Sequence, residues 1–61
     1  MTWKSVEIIQ GDGAEKFHTF LKENGYKYEA YSCFNYVHFE VYCNKEEMLS
    51  FLDFLYDLAT K

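Results

Sequence analysis

Residues 36–43 alternate strictly between two kinds of side chain, and this alternation constrains the fold more than any other feature of the sequence. The apolar set is Val37, Phe39, Val41 and Cys43. The other set is Tyr36, His38, Glu40 and Tyr42. Because successive side chains of a strand point to opposite faces, this segment predicts a β-strand with one face against a core and the other face open.

Two more segments have strand patterns. Residues 2–10 place Val6 and Ile8 on one side, and residues 26–34 alternate with a period of two before a short turn near Asn35. A strand that follows another after so short a turn forms a hairpin with it. We therefore expect three strands, of which the second and third form a hairpin with Tyr26, Tyr28 and Ala30 facing the core.

Two helices are predicted between and after these strands. Asp12 with Glu15, and Asn44 with Glu47, have the spacing of a capping box, in which two side chains satisfy free amides at a helix start. Gly25 suits the left-handed residue that ends a helix, and the second helix is expected to continue to about residue 60. Apolar residues recur at helical spacing in both segments; in the second they are Met48, Phe51, Leu52, Leu55, Leu58 and Ala59.

The order β-α-β-β-α predicts an α+β fold in a single domain spanning residues 1–61. A right-handed crossover makes the first two strands parallel, so the third strand fits between them and is antiparallel to both. The expected sheet is three-stranded and antiparallel, with strand order 1-3-2 and both helices on one face. This topology resembles a ferredoxin-like fold that lacks its last strand.

The hairpin register is left open between two alternatives. A turn at residues 33–34 would place Glu29 opposite His38, whereas a turn at residues 34–35 would place Glu29 opposite Glu40. In both registers Cys33 and Cys43 lie at opposite ends of the hairpin. We therefore predict two free thiols, because a disulfide needs Cα atoms within about 7 Å.

The composition disfavours several functions. Ten acidic residues outnumber six lysines, arginine is absent, and the net charge is −4, which disfavours binding of phosphates and nucleic acids. The cysteines and histidines are not expected to converge, so neither a metal nor a cofactor is predicted. With no apolar run long enough to span a bilayer and no signal-like start, the chain is expected to avoid membranes and to be cytoplasmic.

Three alternatives remain beside the predicted binding role. Cys33 and His38 lie on the same predicted face and suggest a minimal thiol–histidine enzyme, although no third activating group is recognisable. The strand with Tyr36 and His38 also resembles the aromatic strand of RNA-recognition domains, but Glu29 and Glu40 make this platform acidic. An acidic surface that mimics nucleic acid is a further alternative.

The predicted sheet leaves its helix-free face and the edge of its first strand without partners. Tyrosine and tryptophan are enriched at protein contacts, which favours this face as a contact surface. The expected contact residues are Trp3, Tyr31, Tyr36, His38 and Tyr42, with Phe54 and Tyr56 of the second helix as an alternative. We therefore predict a non-enzymatic protein-binding module, homodimeric, of the kind that phages and plasmids use as inhibitors of bacterial proteins.

Overall fold

The computed structural model describes residues 1–60 and contains five elements. They are β1 (Thr2–Ile9), α1 (Asp12–Glu23), β2 (Lys27–Ser32), β3 (Tyr36–Cys43) and α2 (Lys45–Ala59). The strands form one antiparallel sheet in the order β1-β3-β2. This confirms the predicted α+β class, element order and strand order; Lys61, the last residue of the predicted domain, lies outside the described residues.

Both helices cover the same face of the sheet. The fully buried core residues are Phe17 and Leu21 from α1, Phe39, Val41 and Cys43 from β3, and Phe51 from α2. The Phe17 ring meets two others edge-on, with centroid distances of 4.9 Å to Phe39 and 5.8 Å to Phe51. The alternation of residues 36–43 thus separates a buried face from an open one, as predicted.

The hairpin adopts the register in which Glu29 is opposite Glu40. Its turn consists of residues 34–35, closed by a hydrogen bond of 2.8 Å from the Cys33 N–H to the Tyr36 carbonyl. The register that would have paired Glu29 with His38 is not adopted. Both carboxylates have other partners: Glu29 accepts a hydrogen bond from Tyr31, and Glu40 contacts His38.

The two helix starts differ from each other. At α2 the Asn44 side chain accepts from the Glu47 N–H at 2.8 Å and the Glu47 carboxylate accepts from the Asn44 N–H at 3.0 Å, which confirms the predicted capping box. At α1 the predicted box is wrong, because the N-cap is Gly11 and no side chain caps it. Gly11 has a φ of 147°, a conformation that glycine adopts readily because it lacks a Cβ. Gly11 is therefore the N-cap, and Asp12 lies in the first turn of the helix.

The edge strand β2 contributes less to the core than expected. Tyr26 and Tyr28 are half-buried, and Ala30 is exposed. The short Ala30 side chain does not fill the space below α1, so it borders an open cleft of about 450 Å³ together with His18 and Val37.

Gly25 ends the α1 region with a φ of 72°, as predicted. Neither α1 nor α2 combines the length and the apolarity that crossing a bilayer would need.

Candidate protein-contact surface

The side of the sheet that faces away from the helices is called the open face here. Its residues come from alternate positions of the three strands and are fixed by the pairing register. They are Trp3, Ser5, Glu7 and Ile9 of β1, Tyr36, His38, Glu40 and Tyr42 of β3, and Lys27, Glu29 and Tyr31 of β2. All five open-face residues predicted from the sequence therefore lie on one continuous surface.

One end of the open face is an aromatic corner formed by Trp3, Tyr42 and Lys27. Trp3 and Tyr42 are opposite each other across β1 and β3, with ring centroids 5.0 Å apart. Lys27 Nζ lies 5.5 Å from the centre of the Tyr42 ring, on the other side of β3. The Trp3 side chain packs against Tyr42 and is still 47% exposed, so this corner presents a large apolar surface.

The middle of the open face is a polar network formed by Ser5, Glu7, His38 and Glu40. His38 Nδ1 lies 3.2 Å from Glu7 Oε2, and His38 Nε2 contacts Glu40 Oε2. The Ser5 hydroxyl donates to the same Glu40 oxygen at 2.7 Å. One imidazole therefore connects β1 to β3 through two carboxylates.

These contacts change the protonation of the polar network. The hydrogen bond between His38 and Glu40 is the largest cause that raises the pKa of His38 above the ordinary histidine value, and the hydrogen bond with Glu7 is the next largest. The hydrogen bond from His38, followed by that from Ser5, lowers the pKa of Glu40. Both shifts favour the charged pair, so His38 carries a proton over a wider range of pH than a free imidazole does.

The rest of the open face carries two tyrosines, Tyr31 and Tyr36. Tyr31 is 51% exposed, and its hydroxyl donates to Glu29 Oε1 at 2.5 Å, which raises the pKa of Tyr31. Its ring centroid lies 6.2 Å from that of His38. A hydrogen bond with Cys33 raises the pKa of Tyr36. The Tyr31 ring is thus oriented by Glu29, its neighbour on the same face of β2.

The thiols and the imidazole are not arranged as a nucleophile and its base. The two ring nitrogens of His38 contact Glu7 and Glu40, while Cys33 Sγ lies 3.9 Å from the Tyr31 carbonyl oxygen. Cys43 is a free thiol in the core, and burial raises its pKa, which disfavours the reactive thiolate. Among residues 1–60, no three histidine, cysteine or acidic side chains are placed to hold a metal.

The two residues of the helical alternative are in different surroundings. Phe54 is half-buried between the helices, with its ring stacked on Phe20 at 4.3 Å, so it serves helix packing. Tyr56 is exposed on α2, where Leu49 and Leu52 are exposed beside it. Leu52 was expected in the core; it lies outside because the arc of apolar residues on α2 is wider than the sheet can cover.

Two other exposed apolar residues were not singled out as contact residues from the sequence. Phe34, in the hairpin turn, is 99% exposed, and Ile9, at the end of β1, is 76% exposed. The position of Phe34 within a short turn was the available signal, because a turn residue has no neighbouring element to cover it.

Comparisons of the chain with protein-family models, with curated proteins and with solved structures find no match.

Proposed function

We propose that this chain is a non-enzymatic module that binds another protein through its open face. The observation that carries the proposal is the presence of exposed, pre-oriented rings on a helix-free sheet surface. Trp3 is fixed against Tyr42, and Tyr31 is anchored to Glu29. Rings that are already held in place lose little conformational freedom on binding, which favours affinity.

The charges of the open face indicate the chemistry of the partner. Glu7, Glu29 and Glu40 lie in its centre, and the cations on the same face are Lys27 and protonated His38. The surface is therefore acidic in the middle and aromatic at one end. Such a surface is complementary to a basic patch beside an apolar pocket, and long-range attraction would speed their encounter.

The same charges weigh against a nucleic-acid platform. The rings that would stack on bases stand beside carboxylates, which repel a phosphate backbone. The acidic network is complementary to a basic nucleic-acid-binding cleft on a partner protein. That the target is a bacterial protein, and that the module inhibits it, stay predictions from the size and acidity of the chain.

The proposal is tested by affinity capture from a lysate of the native host. Tagged wild-type protein is compared with Tyr31→Ala and Tyr42→Ala, and Phe34→Ala is the control, since it removes an exposed ring outside the open face. We expect a protein retained by the wild type and by Phe34→Ala to be lost from both open-face variants. Circular dichroism checks that each variant remains folded.

Two results would contradict the proposal. One is a captured protein that all four baits retain equally. The other is retention by both open-face variants together with loss from Phe34→Ala, which would move the contact to the hairpin turn. A captured partner should also dissociate more readily as salt is added, because screening weakens the attraction between its basic patch and the acidic centre.

A further inference from the structure

Among residues 1–60, no strand pairs with the outer edge of β1. β1 is an edge strand that pairs with β3 without interruption from Thr2 to Ile9. The Gln10 N–H donates to the Asn35 carbonyl at 3.1 Å. Because hydrogen-bonded pairs alternate in an antiparallel ladder, the residues whose N–H and C=O groups point away from β3 are Trp3, Ser5, Glu7 and Ile9. The chain has no proline to block this edge.

An exposed apolar stripe of α2 lies on the same side of the molecule as this edge. Its members, Leu49, Leu52 and Tyr56, are spaced by three and four residues and are all exposed. At about 100° per residue, they lie about 140–160° around the helix from Phe54, the residue that packs on α1. The stripe therefore faces away from α1.

The position of α1 shows which side that is. His18 of α1 hydrogen-bonds to the Tyr28 hydroxyl of β2 at 2.7 Å, so α1 lies over the β2 side of the sheet. On α2, Met48 borders a depression shared with Thr2 and Cys43, at the start of β1. The stripe and the outer edge of β1 thus form one surface, which we call the β1 flank.

We propose that the β1 flank binds a second copy of this chain, with the two β1 strands pairing antiparallel about a two-fold axis at Val6. The sheet then continues through both copies. An α2 axis midway between β1 and β3 would lie two strand spacings of about 4.8 Å from its copy, close to the helix-packing distance of about 10 Å, and in that position the two α2 helices would meet along their exposed stripes. This proposal does not rest on the open face binding another protein, although the dimer shares Trp3 and Ile9 with that face.

The sequence of β1 is self-complementary in this register. An axis at Val6 places Trp3 opposite the partner's Ile9 and Ser5 opposite the partner's Glu7. It covers Ile9, which is 76% exposed in the single chain, with an indole. Cross-strand pairs of an aromatic with a β-branched residue stabilise a sheet.

The neighbouring registers are less favourable. An axis at Glu7 would place two Glu7 carboxylates opposite each other, and like charges in that position destabilise a sheet. An axis at Ser5 would place Trp3 opposite the partner's Glu7, and Ile9 opposite the partner's Met1, which lies outside β1. Of the three registers, only the one centred on Val6 pairs every outward-facing residue of β1.

The oligomeric state is tested by light scattering and sedimentation of the purified chain. The wild type should have twice the monomer mass. Ser5→Pro should have the monomer mass, because it removes an outward N–H without removing a bond to β3. Ser5→Ala is its matched control, which keeps the N–H and should remain a dimer. Leu52→Glu should also be a monomer, because it brings two like charges together between the α2 helices.

The register is tested by disulfide trapping in variants that also carry Cys33→Ser. In an antiparallel sheet the two Val6 residues would form a non-hydrogen-bonded pair with Cα atoms about 4.5 Å apart, within the range of a disulfide. Val6→Cys should therefore form a covalent dimer under mild oxidation. Ser5→Cys and Glu7→Cys, which occupy the axes of the other two registers, should cross-link much more slowly.

Several results would overturn the proposal. A wild type of monomer mass at millimolar concentration would exclude the dimer. A dimer that survives both Ser5→Pro and Leu52→Glu, with circular dichroism showing that both variants are folded, would place the contact elsewhere. Faster cross-linking of Ser5→Cys or Glu7→Cys than of Val6→Cys would refute the register. A monomeric wild type whose β1 edge pairs with a different protein would refute the choice of a second copy as the partner.

Discussion

Replacement of Phe17 by leucine tests whether the core is organised around this ring. Phe17 has no exposed surface and meets Phe39 and Phe51 edge-on. Each edge-on ring pair contributes about 0.5–1.5 kcal/mol beyond area burial, so losing both should lower the free energy of unfolding by about 1–3 kcal/mol. A chain of 61 residues has a total stability of about 3–9 kcal/mol. Phe17→Leu should therefore remain folded. Phe17→Ala should lower the free energy of unfolding by about 3–5 kcal/mol, which approaches the whole stability of the chain.

The assay is urea unfolding followed by circular dichroism, at one fixed protein concentration because self-association would add to the stability. Phe34→Leu is the matched control: the same chemical change at a 99% exposed position should alter the free energy of unfolding by less than about 0.5 kcal/mol. A loss for Phe17→Leu no larger than that of the control would refute the view that Phe17 holds the two helices on the sheet.

Two further predictions concern the polar network and a helix start. The raised pKa of His38 stabilises the fold fully below the ordinary histidine value of 6.5 and loses this effect as the pH rises through the raised pKa. The lowered pKa of Glu40 stabilises above its ordinary value of 4.5 and loses its effect as the pH falls through the lowered pKa. The difference in urea midpoint between wild type and His38→Gln should therefore be largest at about pH 4.5–6.5 and shrink on either side; a difference independent of pH would contradict the bridging role. Asn44→Ala should lower the free energy of unfolding by about 0.5–2 kcal/mol, because it removes the side-chain oxygen that accepts from the Glu47 N–H; an unchanged free energy of unfolding would contradict the capping box at α2.

The elements of the fold could be predicted from the sequence because local patterns specify them. The alternation of residues 36–43 gave the central strand with its buried face, and Asn44 with Glu47 marked the start of α2. The start of α1 was not predictable from the same spacing, since Asp12 with Glu15 matches the pattern but Gly11 adopts a backbone conformation that makes it the cap. A spacing rule does not detect such a competing backbone conformation.

The members of the open face were predictable, but their interactions were not. Which residues share a face follows from the period of two, so Trp3, Tyr31 and Tyr42 were found. Which residues touch depends on the register, and the sequence left this open between pairing Glu29 with His38 and pairing it with Glu40, of which the hairpin adopts the second. The bridge from Glu7 through His38 to Glu40 crosses two strands that are far apart in sequence, and local patterns carry no information about such contacts.

The central position of β3 also has a consequence for the order in which the sheet assembles. Its ladder with β2 joins neighbouring segments across a two-residue turn, whereas its ladder with β1 must bring together Thr2 and Cys43 from opposite parts of the chain. The entropy lost on closing a loop grows with its length, so the hairpin can form early while docking of β1 comes late. Until β1 docks, the backbone N–H and C=O groups on one side of β3 lack hydrogen-bond partners. At high concentration the β1 of another molecule can pair with them, so that two molecules exchange their β1 strands.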